Sequence, residues 1–116
     1  RVLRRWYRNR YRSEALLRLR QLGQGDAGED WLCELNKLLK LTAMEAYSRE
    51  HVAPLAGPAW VEFLNAQCPE PPFCQAHADL LGRDVYSGRT PAEAERRQLL
   101  DACAVWVECH SEAGHV

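Results

Sequence analysis

Across the first 22 residues, apolar side chains stand at Leu3, Tyr7, Tyr11, Ala15, Leu19 and Leu22, and steps of four and three place them on one face of an α-helix. Trp6 and Leu16 flank that line, and arginines cover the rest of the circumference. Gly23 is expected to end the helix, with GQGDAGED as a flexible turn behind it. A helix of about 22 residues is about 33 Å long at 1.5 Å per residue. That exceeds what one small domain needs, so its first turns are expected to project outward.

The same period continues downstream. Trp31, Leu32, Leu35, Leu38, Leu39, Thr42, Ala43, Ala46 and Tyr47 make an apolar stripe for a second helix over about 28–47, with Glu29 and Asp30 at its positive end. Ser48 suits the cap of one short turn that Pro54 breaks, and Pro58 suits the start of a third helix over about 58–67. That helix would bury Trp60, Phe63 and Leu64. CPEPPF must be an extended loop, a short helix or turn is expected over 74–82, and DVYSG reads as an extended segment or loop. TPAE predicts the last helix start, with Thr90 as N-cap, Pro91 first and Glu93 closing a capping box. That helix would run to about 111 with Leu99, Cys103, Val105 and Trp106 facing in. Isoleucine is absent and other strand formers are few. The expectation is an all-α bundle of four to five helices, with a basic helix over 1–23 that continues into a helical bundle over 24–116.

Charge divides the chain. Residues 1–20 hold eight Arg against one Glu, whereas the other 96 residues hold seven Lys or Arg against fifteen Asp or Glu. The formal net charge of −1 therefore hides a basic leading segment on an acidic body. Arginine clustered just inside a bilayer, with Trp and Tyr at headgroup depth, is the pattern of a membrane-proximal segment. Arg1, Arg4, Arg5, Trp6, Tyr7, Arg8, Arg10, Tyr11 and Arg12 are the candidates for that role. The alternative is a nucleic-acid-binding module, with arginines on phosphates and aromatics stacked on bases. The acidic body would repel the same polyanion and no nucleic-acid-binding motif frames the segment, so no nucleic acid is expected. The chain begins at Arg rather than Met, so a segment upstream is expected.

Chemistry is sparse. Cys33, Cys68, Cys74, Cys103 and Cys109 form no regular framework and read as reduced thiols, as suits a cytosolic compartment. Zinc wants about four converging ligands, usually with Cys-x₂₋₄-Cys pairs. The Cys68–Cys74 and Cys103–Cys109 spacings do not provide them, so neither a metal nor another cofactor is expected. His51 beside Glu50, and His77 near Asp79, are available bases outside any recognisable catalytic motif. No enzymatic activity is expected. The most motif-like stretch is SREHVAPLAGPAW, whose Pro and Gly residues give an ordered, non-helical edge. Arg49, Glu50, His51 and Trp60 are its candidate partner-binding residues. The plainer reading of Gly57–Pro58–Ala59–Trp60, a helix start with a buried Trp, stands beside that one.

The segments YRNRYRSEALLRLRQL, LNKLLKLTAMEAYSREHVAPLAGPAWVEFLN and LLGRDVYSG…LLDACAVWVECH resemble the soluble part of DUF4381 proteins, over nearly the whole chain. In that bacterial family a short N-terminal segment and one transmembrane helix precede an Arg-rich stretch and a small helical domain. The family more often has Pro where Ser48 stands and Ser where Ala56 stands. The resemblance implies a domain held at the inner membrane and facing the cytoplasm. It also implies, through neighbouring genes, protein partners: a MoxR-type AAA+ ATPase, a DUF58 protein and von Willebrand A domain proteins. On that basis the domain is expected to act as an interaction or adaptor element.

Overall fold

Trp31, Leu32, Leu35, Leu38, Leu39, Thr42 and Ala43 are all buried, so the second amphipathic stretch supplies one face around which the chain folds. The computed structural model describes residues 2–112, Val2 by its backbone alone. The helices are α1 (Val2–Gln24), α2 (Trp31–Ala46), α3 (Arg49–Val52), α4 (Gly57–Ala66), α5 (Gln75–Gly82) and α6 (Glu93–Cys109), with a 3₁₀ turn at Asp84–Tyr86. No strand occurs among the described residues, and the fold is all-α. Five of these helices have eight or more residues, and α3 is a single turn.

α1 packs against α2 on one side and α6 on the other, while α4 and α5 pair and close the far side of α2 together with the 3₁₀ turn. Leu35, Leu64, Leu81, Leu99, Cys103 and Trp106 are wholly buried where these elements meet. Indole N–H groups tie the layers together: Trp106 Nε1 donates to the Leu64 carbonyl at 2.8 Å, Trp60 Nε1 to Asn36 Oδ1 at 2.8 Å, and Trp31 Nε1 to the Leu22 carbonyl at 3.1 Å. Ser48 caps α3 through its hydroxyl, which accepts from the His51 N–H at 3.3 Å. The proline loop is pinched by Asn65, whose side chain both accepts from the Phe73 N–H and donates to its carbonyl, each at 3.1 Å.

Several ends differ from the sequence expectation. α1 does not stop at Gly23 but ends at Gln24, and a Cβ on Gly23 would stand 3.1 Å from Leu100 Cδ1, so the missing side chain lets α6 approach. α6 begins at Glu93 rather than just after Thr90, and ends at Cys109. Thr90 instead donates its hydroxyl to the Gly28 carbonyl at 3.1 Å, Pro91 is buried, and Glu95 rather than Glu93 reaches back to the Ala92 N–H at 2.9 Å. Within DVYSG, Asp84–Tyr86 form the 3₁₀ turn. Val105 faces solvent, since the buried line of α6 passes through Leu99, Ala102, Cys103, Trp106 and Val107.

Gly57 takes a positive φ of 63°, and its backbone lies against Gly82 at the end of α5. A Cβ on Gly82 would stand 3.0 Å from the Gly57 carbonyl carbon and 3.1 Å from its oxygen, both backbone atoms that cannot rotate away. Gly82→Ala is therefore expected to force α4 and α5 apart at a cost of about 1–3 kcal/mol. Chemical denaturation reads this, and an unchanged midpoint would show that the two helices separate freely.

Candidate functional site

The basic helix has two environments along its length. In its first turns Leu3 is 79 % exposed, Trp6 56 % and Tyr7 48 %. Arg4, Arg5 and Arg10 are exposed around them, and the Arg10 guanidinium lies 5.3 Å from the Trp6 ring centre while pairing with Glu14 at 3.3 Å. Tyr7 reaches Glu45 of α2 through its hydroxyl. Arg1 lies outside the described residues.

From Tyr11 onward the same face is dry. Tyr11, Ala15 and Leu19 are buried, so the apolar stripe read from the sequence splits: its later part enters the core, and its first part does not. Tyr11 donates its hydroxyl to Glu112 Oε2 at 2.6 Å and lies 2.9 Å from His110 Nε2. Burial, reinforced by the bond to Glu112, pushes the Tyr11 hydroxyl well above its usual range. His110 is 2 % exposed and stacks on Trp106 with ring centres 4.2 Å apart. Its Nδ1 lies 2.9 Å from the Trp106 carbonyl, and burial pushes its pKa down to about 4.

Arg12 completes this junction. Its guanidinium donates to the Val107 and Glu108 carbonyls at 2.9 Å each and to the His110 carbonyl at 2.7 Å. A cation placed on carbonyls that have no partner within the helix is favoured by both hydrogen bonding and the helix dipole. Arg8 and Arg12 also face Glu112, at 3.7 and 3.9 Å. Tyr11 and Arg12 are therefore withdrawn from the membrane-proximal set: their side chains are committed to the end of α6. His110 and Glu112 were missed as members of this cluster. The signal for Tyr11 was its place on the same line as Ala15 and Leu19.

The second candidate surface divides similarly. Arg49, Glu50 and His51 are exposed on α3. Trp60 is 1 % exposed, with its indole bonded to Asn36, so it is a core residue and is removed from the partner-binding set. The plainer reading of the Gly57–Trp60 helix start is the correct one there. Lys40 of α2 holds the edge above it, donating to the Ala53 carbonyl at 3.1 Å and the Leu55 carbonyl at 2.5 Å, with its ammonium 4.9 Å from the Trp60 ring centre. Desolvation lowers the Lys40 pKa.

A groove of about 790 Å³ runs between α1 and α6, floored by Leu16, Leu19 and Leu100 and rimmed by Arg20, Arg96, Asp101 and Glu108. Its lining holds no His or Cys. Among the described residues no group of three or more His, Cys, Asp or Glu side chains could hold a metal ion. Among them, too, no helix is long and apolar enough to cross a membrane.

These features define a small helical domain whose first helix carries an exposed basic and aromatic end. The chain belongs to the family described as Domain of unknown function (DUF4381), whose model matches residues 1–109. No curated protein and no solved structure matches it.

Two outcomes follow from the Arg12–His110 junction. Arg12→Ala removes three charge-assisted bonds and is expected to cost about 2–4 kcal/mol, with Arg12→Lys recovering less than half because one ammonium cannot span the three carbonyls. Urea denaturation checks this, and equal stability of the three proteins would remove the clamp. For pH, His110 stays neutral when folded down to about 4, whereas an unfolded chain takes up the proton near its ordinary 6.5. The stabilisation is present above pH 6.5 and is lost as pH falls from there towards 4, with the shallower lowering at His77 adding in the same sense. The melting temperature is expected to fall over that window, and less steeply in His110→Gln; parallel curves would exclude His110 as the cause.

Proposed function

We propose that this domain is a non-catalytic, membrane-proximal adaptor on the cytoplasmic side of the bacterial inner membrane. The observation that carries the reading is the division of α1 at Tyr11. Before it, Leu3 and Trp6 stand in solvent among Arg4, Arg5 and Arg10; after it, the helix belongs to the core. A basic and aromatic helix end suits the headgroup region of an anionic leaflet, where each Arg near the surface contributes about 1 kcal/mol. The resemblance to DUF4381 proteins implies an anchor upstream of this helix and partners of the MoxR-type ATPase, DUF58 and von Willebrand A kinds, and the reading adopts both. The exposed strip Arg49–Glu50–His51, standing beside a rigid edge held by Lys40, is the surface we assign to those partners.

Two measurements test the two halves of the proposal. The full-length protein, recovered from membranes with and without residues 27–116, should bring down the ATPase or a von Willebrand A protein only when the domain is present. Replacing Arg49, Glu50 and His51 together by Ala should abolish that recovery with the melting temperature unchanged. Recovery that survives the triple variant removes the strip. Separately, the chain should sediment with phosphatidylglycerol vesicles and not with phosphatidylcholine vesicles, and Arg4→Glu with Arg5→Glu should weaken this about tenfold or more. Tight binding to DNA, falling about 10³-fold between 50 and 200 mM salt, would instead support the nucleic-acid reading.

A further inference from the structure

The groove between α1 and α6 has an apolar floor that is only partly covered. Leu16, Leu100 and Ala104 line it and keep part of their surface in solvent. Of the arginines on its rim, Arg97 pairs with Glu93 at 3.2 Å and Arg96 donates to the Pro91 carbonyl at 2.6 Å. That leaves Arg20 against the exposed carboxylates of Asp26, Asp101 and Glu108. The acidic character deepens where the groove meets the turn after α1. There Asp26, Glu29, Asp30 and Glu34 line an adjoining hollow of about 340 Å³ that has no Lys or Arg in its lining.

The opposite end of α1 has the matching chemistry. Leu3, Trp6 and Arg10 stand at i, i+3 and i+7, so they share one helix face, and all three are exposed. Arg4 and Arg5 flank that face. This end cannot fold back onto the groove of its own molecule, because Trp6 and Leu16 are held about 15 Å apart along one unbroken helix. We propose that the Leu3–Trp6–Arg10 face of one copy seats in the α1–α6 groove of a second copy. Leu3 and Trp6 lie on the floor of Leu16, Leu100 and Ala104, and the arginines face the acidic rim.

Charge complementarity identifies the second copy as the occupant. α1 carries the basic pole at its start and the acidic pole just beyond its end, about 30 Å away, so two copies attract end to end. An anionic bilayer would be repelled from the groove by the same carboxylates. Exposed ion pairs contribute little by themselves. Burial of Leu3 and Trp6 supplies most of the attraction, while the charges set partner and orientation. The contact joins two different patches, so each copy keeps one half free, and association continues into chains or rings rather than stopping at a two-fold dimer. This self-association goes beyond the membrane-proximal reading and is measured without lipid, so either can fail alone.

The experiment is analytical ultracentrifugation of the chain at rising concentration in low salt, where the average mass should grow past that of a dimer. Trp6→Glu spoils the seat, and Asp101→Lys with Glu108→Lys reverses the rim; all three positions are exposed, so both variants keep the fold. Each variant alone is expected to stay monomeric. Mixed in equal amounts, the two should associate through the one intact face and the one intact groove, and stop at a dimer. A wild-type chain that stays monomeric at millimolar concentration overturns the proposal. Association of either variant alone to the wild-type extent does so as well. A mixture that stays monomeric while the wild type associates also overturns it, because both halves of the contact would then lie on one patch, as in a two-fold pairing of α1 with itself.

Discussion

Three helices, α1, α4 and α6, end without a basic residue in the last turn, and each has a carbonyl near its end taken by a side chain from a different helix. Trp31 of α2 serves α1, Trp106 of α6 serves α4, and Arg12 of α1 serves α6. Backbone oxygens at helix ends are costly to bury without a partner. α6 needs α1, α1 needs α2, and α4 needs α6, so the termini are completed only when the bundle is assembled. Lys40 repeats the device on the short α3, donating to the Ala53 and Leu55 carbonyls just beyond it. The packing of apolar stripes explains why these helices associate; the borrowed caps explain why they associate in this arrangement.

This also accounts for what the sequence could convey. The positions of the helices were legible because their apolar period is local: the stripe of α2 is buried at every expected position from Trp31 to Ala43. The boundaries were not, because Thr90 answers to Gly28 and Gly23 to Leu100 rather than to their own neighbours. Trp60 and Trp6 are both tryptophans flanked by plausible binding residues, and only the surrounding helices separate a 1 % exposed side chain from a 56 % exposed one. Arg12 and Arg10 lie two positions apart in one basic run, yet Arg12 clamps α6 and Arg10 pairs with the nearby Glu14. Composition cannot assign those roles, since either would select arginine.

The proposed functions draw on different parts of the same frame. The exposed end of α1 offers charge and aromatic surface, while α3 offers a mixed-charge strip on a backbone edge fixed by Lys40. Between them the Tyr11–His110–Glu112 junction ties α1 to the end of α6. Stability and the attachment of the basic helix therefore converge on the C-terminal end of α6.

α1 crosses from its exposed turns into the core without a break, with no proline in its length and its first glycine at Gly23. Such a rod has no hinge between the two regions, and the Arg12 clamp fixes it to the domain, so the two move as one body. The body measures 42 Å along its longest axis. For an anchored first turn, a tilt of about 20°, the average for membrane helices, would swing the far end through about 14 Å. The height of the α3 strip above a bilayer would then follow from the angle at which one helix leaves it, with no rearrangement inside the domain.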